Sequence, residues 1–557
     1  MIHDLSTAQL PGEEYHVCIV GSGPAGAILA SELLGSNLRV AVLESGLHKV
    51  TPRGDALRET ESSGLWVKPW SRERVLGGAS TTWAGLSSPL DDADLAPRAH
   101  LGGIEWPLPS AELSELWEQA AERHRFPGSA HFGAEGFARL RRKGDFHPGW
   151  RELEEKVFLA PVEPQNFGTE CRQVWESAET TLLLDATVTQ LNWDQDLQRV
   201  GSVSAMDRKG NTHKIRARVF VLACGGIENP RLLLASPGPD GVALGNGHDQ
   251  VGRCFMNHPK SYAGEIRFRN PIRSAPYFFG CIDGGFAGYA GLRLPTKRQA
   301  DEGLMNSYVR LEPLFPWTDN PGIEALVTLV KQANGIMRLF RKSRADEVVE
   351  LRDYSETGDD SEVQNTRRGF GGWLALLFTV LRHLPGVLHY LVYRLTRKPA
   401  PIRGARIRAF MEMEPRPENR VVLSDKLDPN GQRLPHVSHN VSPLDRKSIL
   451  AVYSALEREV QELDLGTLEG GLTDSDPWPI NQDASHHMGT TRMGRDPASS
   501  VTDPTLLVRG SGNVYAAGAS VFPTSGCANP TYTIAALSIR LARHLEAQFA
   551  ESNENRP

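Results

Sequence analysis

The stretch that decides the fold is "HVCIVGSGPAGAILASELLGSNLRVAVLESG", residues 16–46. A short β-branched run at 17–20 ends in a glycine, a helical pattern follows, and a second apolar strand ends in an acid. This order of strand, GxGxxG turn, helix, strand and acid predicts a Rossmann-type unit that binds a dinucleotide. The three glycines of the turn are Gly21, Gly23 and Gly26, and the acid is Glu44.

Each residue of this unit has an expected task. Gly21 permits the tight turn, Gly23 lets the backbone approach a pyrophosphate at the helix N-terminus, and Gly26 lets helix and strand pack closely. Glu44 is placed to bind ribose hydroxyls, which favours FAD or NAD over NADP. Neighbouring residues assigned to the same cofactor site are Pro24, Ala25 and Ser45.

Composition places the chain among soluble globular proteins. Its 557 residues are too many for one simple core and predict two or more domains, or one large elaborated unit. The net charge of −6 gives no indication of a nucleic-acid-binding surface. Six scattered cysteines without a CxxC pair indicate reduced thiols, and the first residues lack the apolar core of a secretory signal, so we expect a cytoplasmic protein.

Further glycine-rich turns decide between FAD and NAD. "RERVLGGASTTWAGL" (72–86) can lie against phosphates or a flat ring, "VFVLACGGIENPRLLLAS" (219–236) resembles a late Rossmann strand and its helix, and a strand at 514–517 precedes a helix from about Thr531. Residues 180–219, just upstream of that late strand, predict an antiparallel meander. A dinucleotide domain that opens and closes the chain is discontinuous, which favours a large flavoprotein over an NAD dehydrogenase.

These motifs together resemble the glucose-methanol-choline (GMC) oxidoreductase family. The matching pieces are "GSGPAGAILASEL", "RVLGGASTTW", "GIEWPL" (103–108), "CGGIENPRLLL", "VGRCFMNHP" (251–259), "HHMGTTRMG" and "GNVYAAGASVFPTSGCANPTYTIAALSIRLA". They follow the family order and span residues 16–545, with no placed motif over about 265–405. The "GG.ST.W" and "GT.RMG" versions are nearest to the sugar-acting, pyranose oxidase-like branch.

The resemblance implies an active-site pair. His486, three residues before Gly489, is expected to face the flavin as the base, and Asn529 is its expected partner. This agrees with the chemistry, because alcohol oxidation needs a group that takes the hydroxyl proton while hydride leaves carbon. Asn529 can hold and polarise the substrate oxygen without ionising. His487 either packs away from the site or contacts substrate, and we name it as the candidate substrate residue; His258 is expected to be structural.

The same resemblance extends the cofactor site across the chain. No group of residues has the spacing of metal ligands, and adjacent histidines point apart, so no metal is expected. The further residues assigned to FAD are Gly77, Gly78, Ser80, Thr81, Thr82, Trp83, Val188, Ala223, Gly225, Asn257, Gly518, Ala519, Asn529, Pro530 and Thr531.

Two positions depart from the family pattern. Thr82 stands where the sugar-acting branch has a histidine that anchors the flavin covalently, so FAD is expected to be bound non-covalently. Gly518 stands where many members have Asp, so the pyrophosphate contact there must come from backbone amides.

The expected fold class is α/β (α+β overall): a discontinuous Rossmann-type FAD-binding domain and a substrate domain with an antiparallel sheet flanked by helices. The FAD-binding parts are 1–105, 168–262 and 480–550; 106–167 is a substrate-side cap segment; and 263–479 is the substrate-binding domain. Within the last, 406–425 and 434–441 are expected to be sheet strands covering the flavin.

Residues 367–399, "RRGFGGWLALLFTVLRHLPGVLHYLVYRLTRKP", are unusually apolar with basic flanks. The apolar run is too short and interrupted for a spanning helix. Three alternatives stay open: a helical hairpin that packs as core or lid, an element that dips into a membrane surface, or an oligomer contact. The oligomeric state does not follow from the sequence.

The main hypothesis is FAD-dependent oxidation of a CH–OH group on a sugar, glycoside or aminoglycoside-type polyol, with O2 or another electron acceptor. The alternative is a membrane-surface FAD alcohol dehydrogenase that passes electrons to a quinone or protein acceptor. Two further hypotheses are a flavoprotein scaffold with an inactive site and a plain NAD dehydrogenase. The His486–Asn529 pair argues against the scaffold.

Overall fold

The structure, a computed structural model, describes residues 1–8, 14–332, 370–396 and 400–554. Its strands are β1 (Ile2–Asp4), β2 (Tyr15–Val20), β3 (Val40–Leu43), β4 (Glu61–Gly64), β5 (Glu154–Pro161), β6 (Thr180–Leu184), β7 (Thr187–Asp194), β8 (Arg199–Met206), β9 (Thr212–Leu222), β10 (Lys260–Ile272), β11 (Cys281–Asp283), β12 (Phe286–Arg293), β13 (Tyr308–Leu314), β14 (Ile402–Phe410), β15 (Arg420–Leu427), β16 (Arg433–His439), β17 (Gly466–Glu469) and β18 (Val514–Ala516).

The helices are α1 (Pro24–Glu32), α2 (Pro52–Leu57), α3 (Asp92–Leu95), α4 (Ser110–His124), α5 (Gly133–Leu140), α6 (Phe167–Glu170), α7 (Arg172–Glu176), α8 (Gly225–Leu234), α9 (Thr296–Glu302), α10 (Pro321–Gln332), α11 (Phe370–Arg382), α12 (Leu384–Thr396), α13 (Pro443–Glu462) and α14 (Thr531–Glu554).

A parallel sheet carries the dinucleotide motif. Its strands lie in the order β1–β6–β3–β2–β9–β18, and each neighbouring pair is parallel. β2 and β3 are almost completely buried, as expected for strands covered on both faces. β18 pairs with β9 from almost 300 residues further along the chain. The predicted Rossmann-type sheet, closed by a late strand, is therefore confirmed.

The predicted meander is confirmed except for its first strand. β7, β8 and the first half of β9 form an antiparallel meander. Residues 180–184, which we assigned to that meander, instead form β6 inside the parallel sheet, between β1 and β3. The physical reason is burial: "TTLLL" is a nearly continuous buried run, which suits a parallel strand covered on both faces rather than a meander strand.

A second, antiparallel sheet forms the other main layer. It runs β11–β12–β13–β14–β10–β17, and β5 adds to β12. The long helix α13 packs on it, because Ile449, Val452 and Leu456 share a core with strand residues such as Leu311 and Ile407. The helix begins in a capping box. Ser442 Oγ accepts from Asp445 N at 3.1 Å, and Asp445 Oδ2 accepts from Ser442 N at 2.8 Å.

The strands expected over 406–425 and 434–441 belong to two sheets. β14 ends at Phe410 in the large antiparallel sheet, whereas β15 and β16 pair with β4 in a separate three-stranded sheet. The intervening residues, "MEMEPRPEN", contain two prolines, which interrupt a strand ladder. β4 comes from the first 105 residues, whereas β15 and β16 come from the predicted substrate-binding domain. This small sheet therefore joins the predicted FAD-binding and substrate-binding parts.

The predicted cap segment 106–167 contributes to both layers. Its helix α4 packs against α14, which also packs against α1 of the dinucleotide unit. Its strand β5 pairs along its full length with β12 of the antiparallel sheet. The domain boundaries given above stay a prediction.

The apolar segment forms two helices that meet at a sharp bend. Of residues 367–399, the structure describes 370–396, and 367–369 and 397–399 lie outside the described residues. Among the described residues, no single helix is long and apolar enough to cross a membrane, but the pair Gly372–Arg382 and Leu384–Thr396 together passes that test with a bend of 82°.

A buried ion pair connects the first 105 residues to the segment that follows β14 of the antiparallel sheet. The two terminal nitrogens of Arg98 donate hydrogen bonds to the two carboxylate oxygens of Glu412, at 2.9 and 2.7 Å. The Glu412 side chain is fully buried. Glu412 also accepts from the backbone N–H of Asn306 at 2.6 Å and of Gly526 at 2.9 Å. This carboxylate therefore holds four segments of the chain together.

We predict that Arg98→Met destabilises the protein by about 3–5 kcal/mol, because Glu412 is left buried without its cation. The measurement is the urea midpoint of the holoprotein. The control is the double variant Arg98→Met/Glu412→Gln, which removes the buried charge and keeps an amide oxygen that can accept one of the two backbone bonds. It should recover part of the loss, and a double variant no more stable than the single one contradicts the assignment.

Candidate active site

The first glycine turn leaves no room for side chains at two of its three positions. Gly21 has φ +105°, and a Cβ there would lie 2.7 Å from the carbonyl oxygen of Ala223. A Cβ on Gly26 would lie 2.0 Å from the carbonyl oxygen of Gly21. Around Gly23 nothing lies within 4 Å of that position. The surrounding backbone therefore leaves no room for a side chain at Gly21 or Gly26, whereas the space beside Gly23 is open.

The second glycine loop packs against the first. A Cβ on Gly78 would lie 3.0 Å from Gly23 Cα, and Gly77 N donates to Ser22 Oγ at 3.1 Å. Ser80 and Thr81 fold the loop on itself through bonds to the carbonyls of Gly77 and Gly78 at 2.6 and 2.9 Å. Trp83 is half-buried and donates its indole N–H to the Gln165 carbonyl at 2.6 Å.

A third loop completes the cradle from the C-terminal end of the chain. Ala517 N donates to the Leu222 carbonyl at 2.8 Å, which places Gly518, with φ +89°, beside Ala25 of α1. Gly225 also has positive φ, +87°, and open space at its Cβ position. Ala519 begins a short 3₁₀ turn. Backbone from three distant segments therefore converges around the N-terminus of α1, as a dinucleotide requires.

Glu44 is buried at the end of β3, where the motif places it. Its carboxylate accepts from Ser22 N at 3.1 Å, Ser22 Oγ at 2.6 Å and Gly46 N at 2.8 Å. Burial raises the pKa of this carboxyl, and the bonds from Ser22 and Gly46 oppose the rise. Three of about four acceptor positions of the carboxylate are occupied, so a ribose hydroxyl would find one left.

The other residues assigned to the cofactor lie on these loops or next to them. Pro24 is the first residue of α1, and Ser45 Oγ accepts from Arg74 at 3.1 Å. Val188 is half-buried in β7, and Pro530 and Thr531 lie at the start of α14. Their contact with the cofactor stays a prediction.

His486 and Asn529 are brought together, as the resemblance implied. Asn529 Nδ2 lies 3.3 Å from His486 Nε2, although 43 residues separate them in the sequence. Both side chains are half-buried while most of their neighbours in the two loops are buried. Backbone bonds set the two loops side by side, since Gly489 N donates to Ala519 O at 3.1 Å and Thr491 N to Ser520 O at 2.8 Å.

The surroundings keep His486 neutral. Burial, followed by the neighbouring His258 and Lys260, holds the pKa of His486 well below its ordinary value of 6.5. A neutral imidazole has one nitrogen that can accept a proton. His486 is therefore in the form that a general base needs at neutral pH.

Asn257 and Asp483 position His486 through its backbone. Asn257 Oδ1 accepts from His486 N at 3.1 Å and from His258 N at 2.8 Å, while its amide nitrogen donates to Asp483. Asn257 is fully buried, and these bonds favour a positioning role; its predicted cofactor contact stays a prediction. Asp483 also accepts from Lys68 N at 2.9 Å and Ser485 N at 2.6 Å.

His487 turns to a different environment from His486. Its Nε2 lies 3.5 Å from Asp483 Oδ2, and its ring lies 5.6 Å from that of Phe255. The side chain is 9% exposed. These contacts favour the alternative in which His487 packs away from the site, and its contact with substrate stays a prediction.

Two residues of the site were missed by sequence reasoning. His258, expected to be only structural, places Nδ1 at 2.9 Å from Nδ1 of His486. Asp483, three residues before His486, was not singled out in the sequence. A sequence signal existed for His258, because a polar residue inside a family motif needs a polar partner when it is buried. No cluster of three metal-ligating side chains occurs among the described residues.

The glycine cradle and the His–Asn pair define an oxidoreductase that binds a dinucleotide cofactor, and comparison with known proteins gives the family. The profile described as GMC oxidoreductase matches residues 415–538. The C-glycoside 3-oxidase of Microbacterium trichothecenolyticum is 33% identical over 97% of this chain and 98% of its own length. The 6'''-hydroxyparomomycin C oxidase of Streptomyces lividus is 25% identical, with 96% and 92% covered.

Solved structures agree on the fold. Formate oxidase from Aspergillus oryzae aligns with a TM-score of 0.55 and 16% identity, over 98% of this chain and all of that one. The chain belongs to the GMC oxidoreductase family. Members of this family are FAD flavoproteins. The cradle fits this cofactor, because the open backbone at Gly23 and Gly225 offers the close approach that a pyrophosphate needs.

We predict that Gly23→Ala weakens FAD binding about fivefold to a hundredfold while the apoprotein keeps its stability. The added methyl group meets no protein atom but occupies the space that the cofactor needs, and overpacking costs about 1–3 kcal/mol. The measurements are FAD titration of the apoprotein by flavin fluorescence and thermal unfolding without FAD.

Two matched variants complete this test. Gly26→Ala should lower the stability of the apoprotein itself, because its Cβ would lie 2.0 Å from a backbone oxygen. Gly247→Ala, also in open space but outside the residues assigned to the cofactor, should change neither property. Unchanged FAD affinity in Gly23→Ala would show that the cofactor does not bind against this turn.

Proposed function

We propose that this chain uses non-covalently bound FAD to oxidise a CH–OH group of a sugar, glycoside or aminoglycoside-type polyol to a carbonyl. His486 acts as the base, Asn529 holds the substrate oxygen, and O2 or another acceptor takes the electrons. The observation that carries the proposal is the contact of His486 Nε2 with Asn529 Nδ2 at 3.3 Å, next to the loops of the glycine cradle.

In the proposed reaction, the cofactor and His486 each take one of the two hydrogens that the alcohol loses. FAD, when bound, supplies the acceptor for the hydride that leaves the carbinol carbon. His486 Nε2 takes the hydroxyl proton, so the alcohol loses two electrons and two hydrogens and becomes a carbonyl. Asn529 can donate its amide N–H to the substrate oxygen in both states, because it never ionises.

The substrate class comes from relatives rather than from the pocket. The two relatives named above are described as oxidases of a C-glycoside and of a hydroxyparomomycin, and both align over nearly the whole chain. A further relative, the fructose dehydrogenase large subunit of Gluconobacter japonicus, is 28% identical over 62% of this chain and half of its own length. A polyhydroxylated substrate is therefore the first class to test.

Non-covalent attachment is supported at Thr82. Its side chain is exposed and donates to the carbonyl of Ala79 at 3.3 Å, and a threonine hydroxyl is a far weaker nucleophile than the imidazole found in the sugar-acting branch. Acid precipitation tests this point directly, because a yellow supernatant means free flavin and a yellow pellet means covalent attachment.

We predict that His486→Asn slows anaerobic flavin reduction about 10²–10⁴-fold, the usual contribution of a general base. The measurement is stopped-flow loss of oxidised-flavin absorbance with a panel of free sugars, aryl C-glycosides, paromamine-type aminoglycosides and simple alcohols. Asn529→Ala should also slow reduction, whereas His487→Asn should have a much smaller effect if that residue only packs. Equal rates for wild type and His486→Asn contradict the assigned base.

The pH dependence has a defined sign. Because the pKa of His486 lies below 6.5, the base is neutral above that pH, and reduction should be insensitive to pH there. The rate should fall only as the pH drops through the lowered pKa, where the imidazole becomes protonated and cannot accept a proton. Admitting air after reduction separates an oxidase from a dehydrogenase.

A second candidate, the membrane-surface dehydrogenase, rests on the two apolar helices. Four large apolar side chains of α11 with helical spacing are exposed, and so are four of α12. The opposite side of the pair is anchored: Val387 is buried, and Trp317 lies 5.3 Å from the Tyr393 ring. The exposed residues are Leu374, Leu377, Phe378, Leu381, Leu384, Leu388, Val392 and Leu395.

The charges of this surface suit an anionic lipid headgroup layer. Residues 370–396 contain Arg382 and Arg394 and no acidic residue. An amphipathic helix with cations near its apolar face binds in the interfacial plane of such a bilayer. We propose that the pair lies on a lipid surface, and a second copy of the chain is the competing occupant.

We predict that the holoprotein floats with phosphatidylcholine–phosphatidylglycerol vesicles and that Phe378→Ser/Leu381→Ser lowers its partition on the order of tenfold or more, because two side chains lose their apolar burial. Both are 65% exposed, so folding should be unaffected. Leu427→Ser, at 61% exposure elsewhere, is the control. A dimer that the double variant abolishes, without vesicle binding, contradicts the membrane proposal.

A further inference from the structure

His258 faces His486 because their two segments pair as a short antiparallel bridge. Met256 and Met488 exchange both backbone hydrogen bonds, each at 3.0 Å. Two residues further along one segment and two residues back along the other, His258 and His486 therefore lie opposite each other. Their Nδ1 atoms are 2.9 Å apart and their rings meet edge to face at 88°.

The protons on His258 follow from its second contact. His258 Nε2 lies 2.8 Å from the carbonyl oxygen of Gly526. A carbonyl oxygen only accepts, so His258 Nε2 must carry a proton. The carbonyl is held in place, since the Gly526 N–H donates to Glu412 Oε1 at 2.9 Å. The orientation of the His258 ring is therefore fixed at both nitrogens.

His258 is also a neutral imidazole. It is 3% exposed, and burial lowers its pKa to about 4, with Glu412 opposing that change. With Nε2 protonated and the ring neutral, Nδ1 carries a lone pair and can only accept. The contact between the two Nδ1 atoms then needs a proton from the other ring, and His486 must supply it.

We propose that His258 is a positioning residue that fixes His486 in the tautomer with Nδ1 protonated and Nε2 bare. Nε2 is the atom that lies 3.3 Å from Asn529, where the substrate hydroxyl binds under the proposed function, on which this inference rests. In the other tautomer the proton would occupy Nε2, and the lone pair would face His258 instead of the substrate. A free imidazole has no such preference imposed on it.

The arrangement also suits the protonated product of the base. When Nε2 takes the hydroxyl proton, both nitrogens of His486 are donors, and Nδ1–H keeps its bond to His258 without any ring rotation. The charged and titratable groups around His486 are His258, Lys260, Asp483 and His487. Asp483 is the one negative charge among these four.

Two variants at position 258 test the proposal. His258→Phe keeps a ring of similar size but removes the acceptor, so the Nδ1 proton of His486 loses its partner and only the 3.3 Å contact with Asn529 still favours a bare Nε2. His258→Asn keeps an oxygen that can accept near the position of Nδ1. We expect His258→Phe to slow flavin reduction roughly tenfold to a hundredfold, part of the contribution of a general base, and His258→Asn to recover most of the rate. The alcohol is the panel member that reduces wild type fastest.

The decisive readout is the tautomer itself, which a merely structural role would not move. Oxidised holoprotein labelled with 15N-histidine gives side-chain nitrogen resonances that distinguish protonated from bare ring nitrogens, and His486→Asn identifies those of residue 486. In wild type at pH 7.5 we expect Nδ1 of His486 protonated and Nε2 bare. In His258→Phe we expect a mixture of the two tautomers.

The controls separate this proposal from the proposed function. His439→Phe replaces another fully buried histidine, one whose Nε2 lies 3.1 Å from the Met413 sulfur, and should leave the His486 tautomer unchanged. If no alcohol of the panel reduces the flavin, the proposed function is contradicted, but the 15N resonances of His486 still test the tautomer. A wild-type His486 protonated at Nε2, or the wild-type tautomer retained in His258→Phe, overturns the inference, even where a variant is poorly stable.

Discussion

The buried carboxylate of Asp483 is the interaction on which the arrangement of the active site depends. It accepts hydrogen bonds from the backbone of Lys68 and Ser485 and from the amide of Asn257, and it faces His487. Burial raises the pKa of Asp483, but the neighbouring His487, followed by the bonds from Asn257 and Lys68, holds it well below its ordinary value of 3.8. The stabilisation is thus present above pH 3.8 and is lost only as the pH falls towards the depressed pKa.

A charge buried in this way ties its neighbours together more strictly than apolar packing does. Removing one donor leaves part of the carboxylate unsatisfied, and each lost bond to a charged group is worth about 1.5–3 kcal/mol. Through Asn257, the same carboxylate sets the backbone position of His486. From Gly489 onward, backbone bonds to residues 519–521 set the catalytic loop against the loop that carries Asn529. The distance between base and amide therefore follows from main-chain geometry.

The sequence predicted the parts of this molecule whose physics is local. A GxGxxG turn between two buried strands has few alternatives, and the structure shows why at Gly21 and Gly26, where a Cβ would collide with backbone. The parallel strand at 514–516 was also predictable, because a short buried run before a glycine-rich loop repeats the pattern of the first unit. β6 was misassigned because its short run was grouped with the alternating strands that follow it, although a nearly continuous apolar run is typical of a buried parallel strand.

The remaining parts depend on contacts that no local pattern contains. His258 and His486 are 228 residues apart, and their pairing follows from a bridge between two loops rather than from either motif. The same is true of β4, whose partner β16 lies in the other half of the chain. The residue types were visible in the sequence, but their partners were not, because the register of segments so far apart in the chain is set by tertiary packing.

In the proposed reaction, the environment of His486 balances two opposing requirements of a base. Burial lowers its pKa, which keeps the imidazole neutral before the reaction but makes the protonated form costly afterwards. Asp483 opposes that cost, because its negative charge raises the pKa of His486. The carboxylate that positions the loop thus also stabilises the charge that His486 acquires. A nearer carboxylate would keep the imidazole protonated in the resting state, and an apolar substitute would leave the protonated base unsupported, so an indirect contact through Asn257 satisfies both requirements.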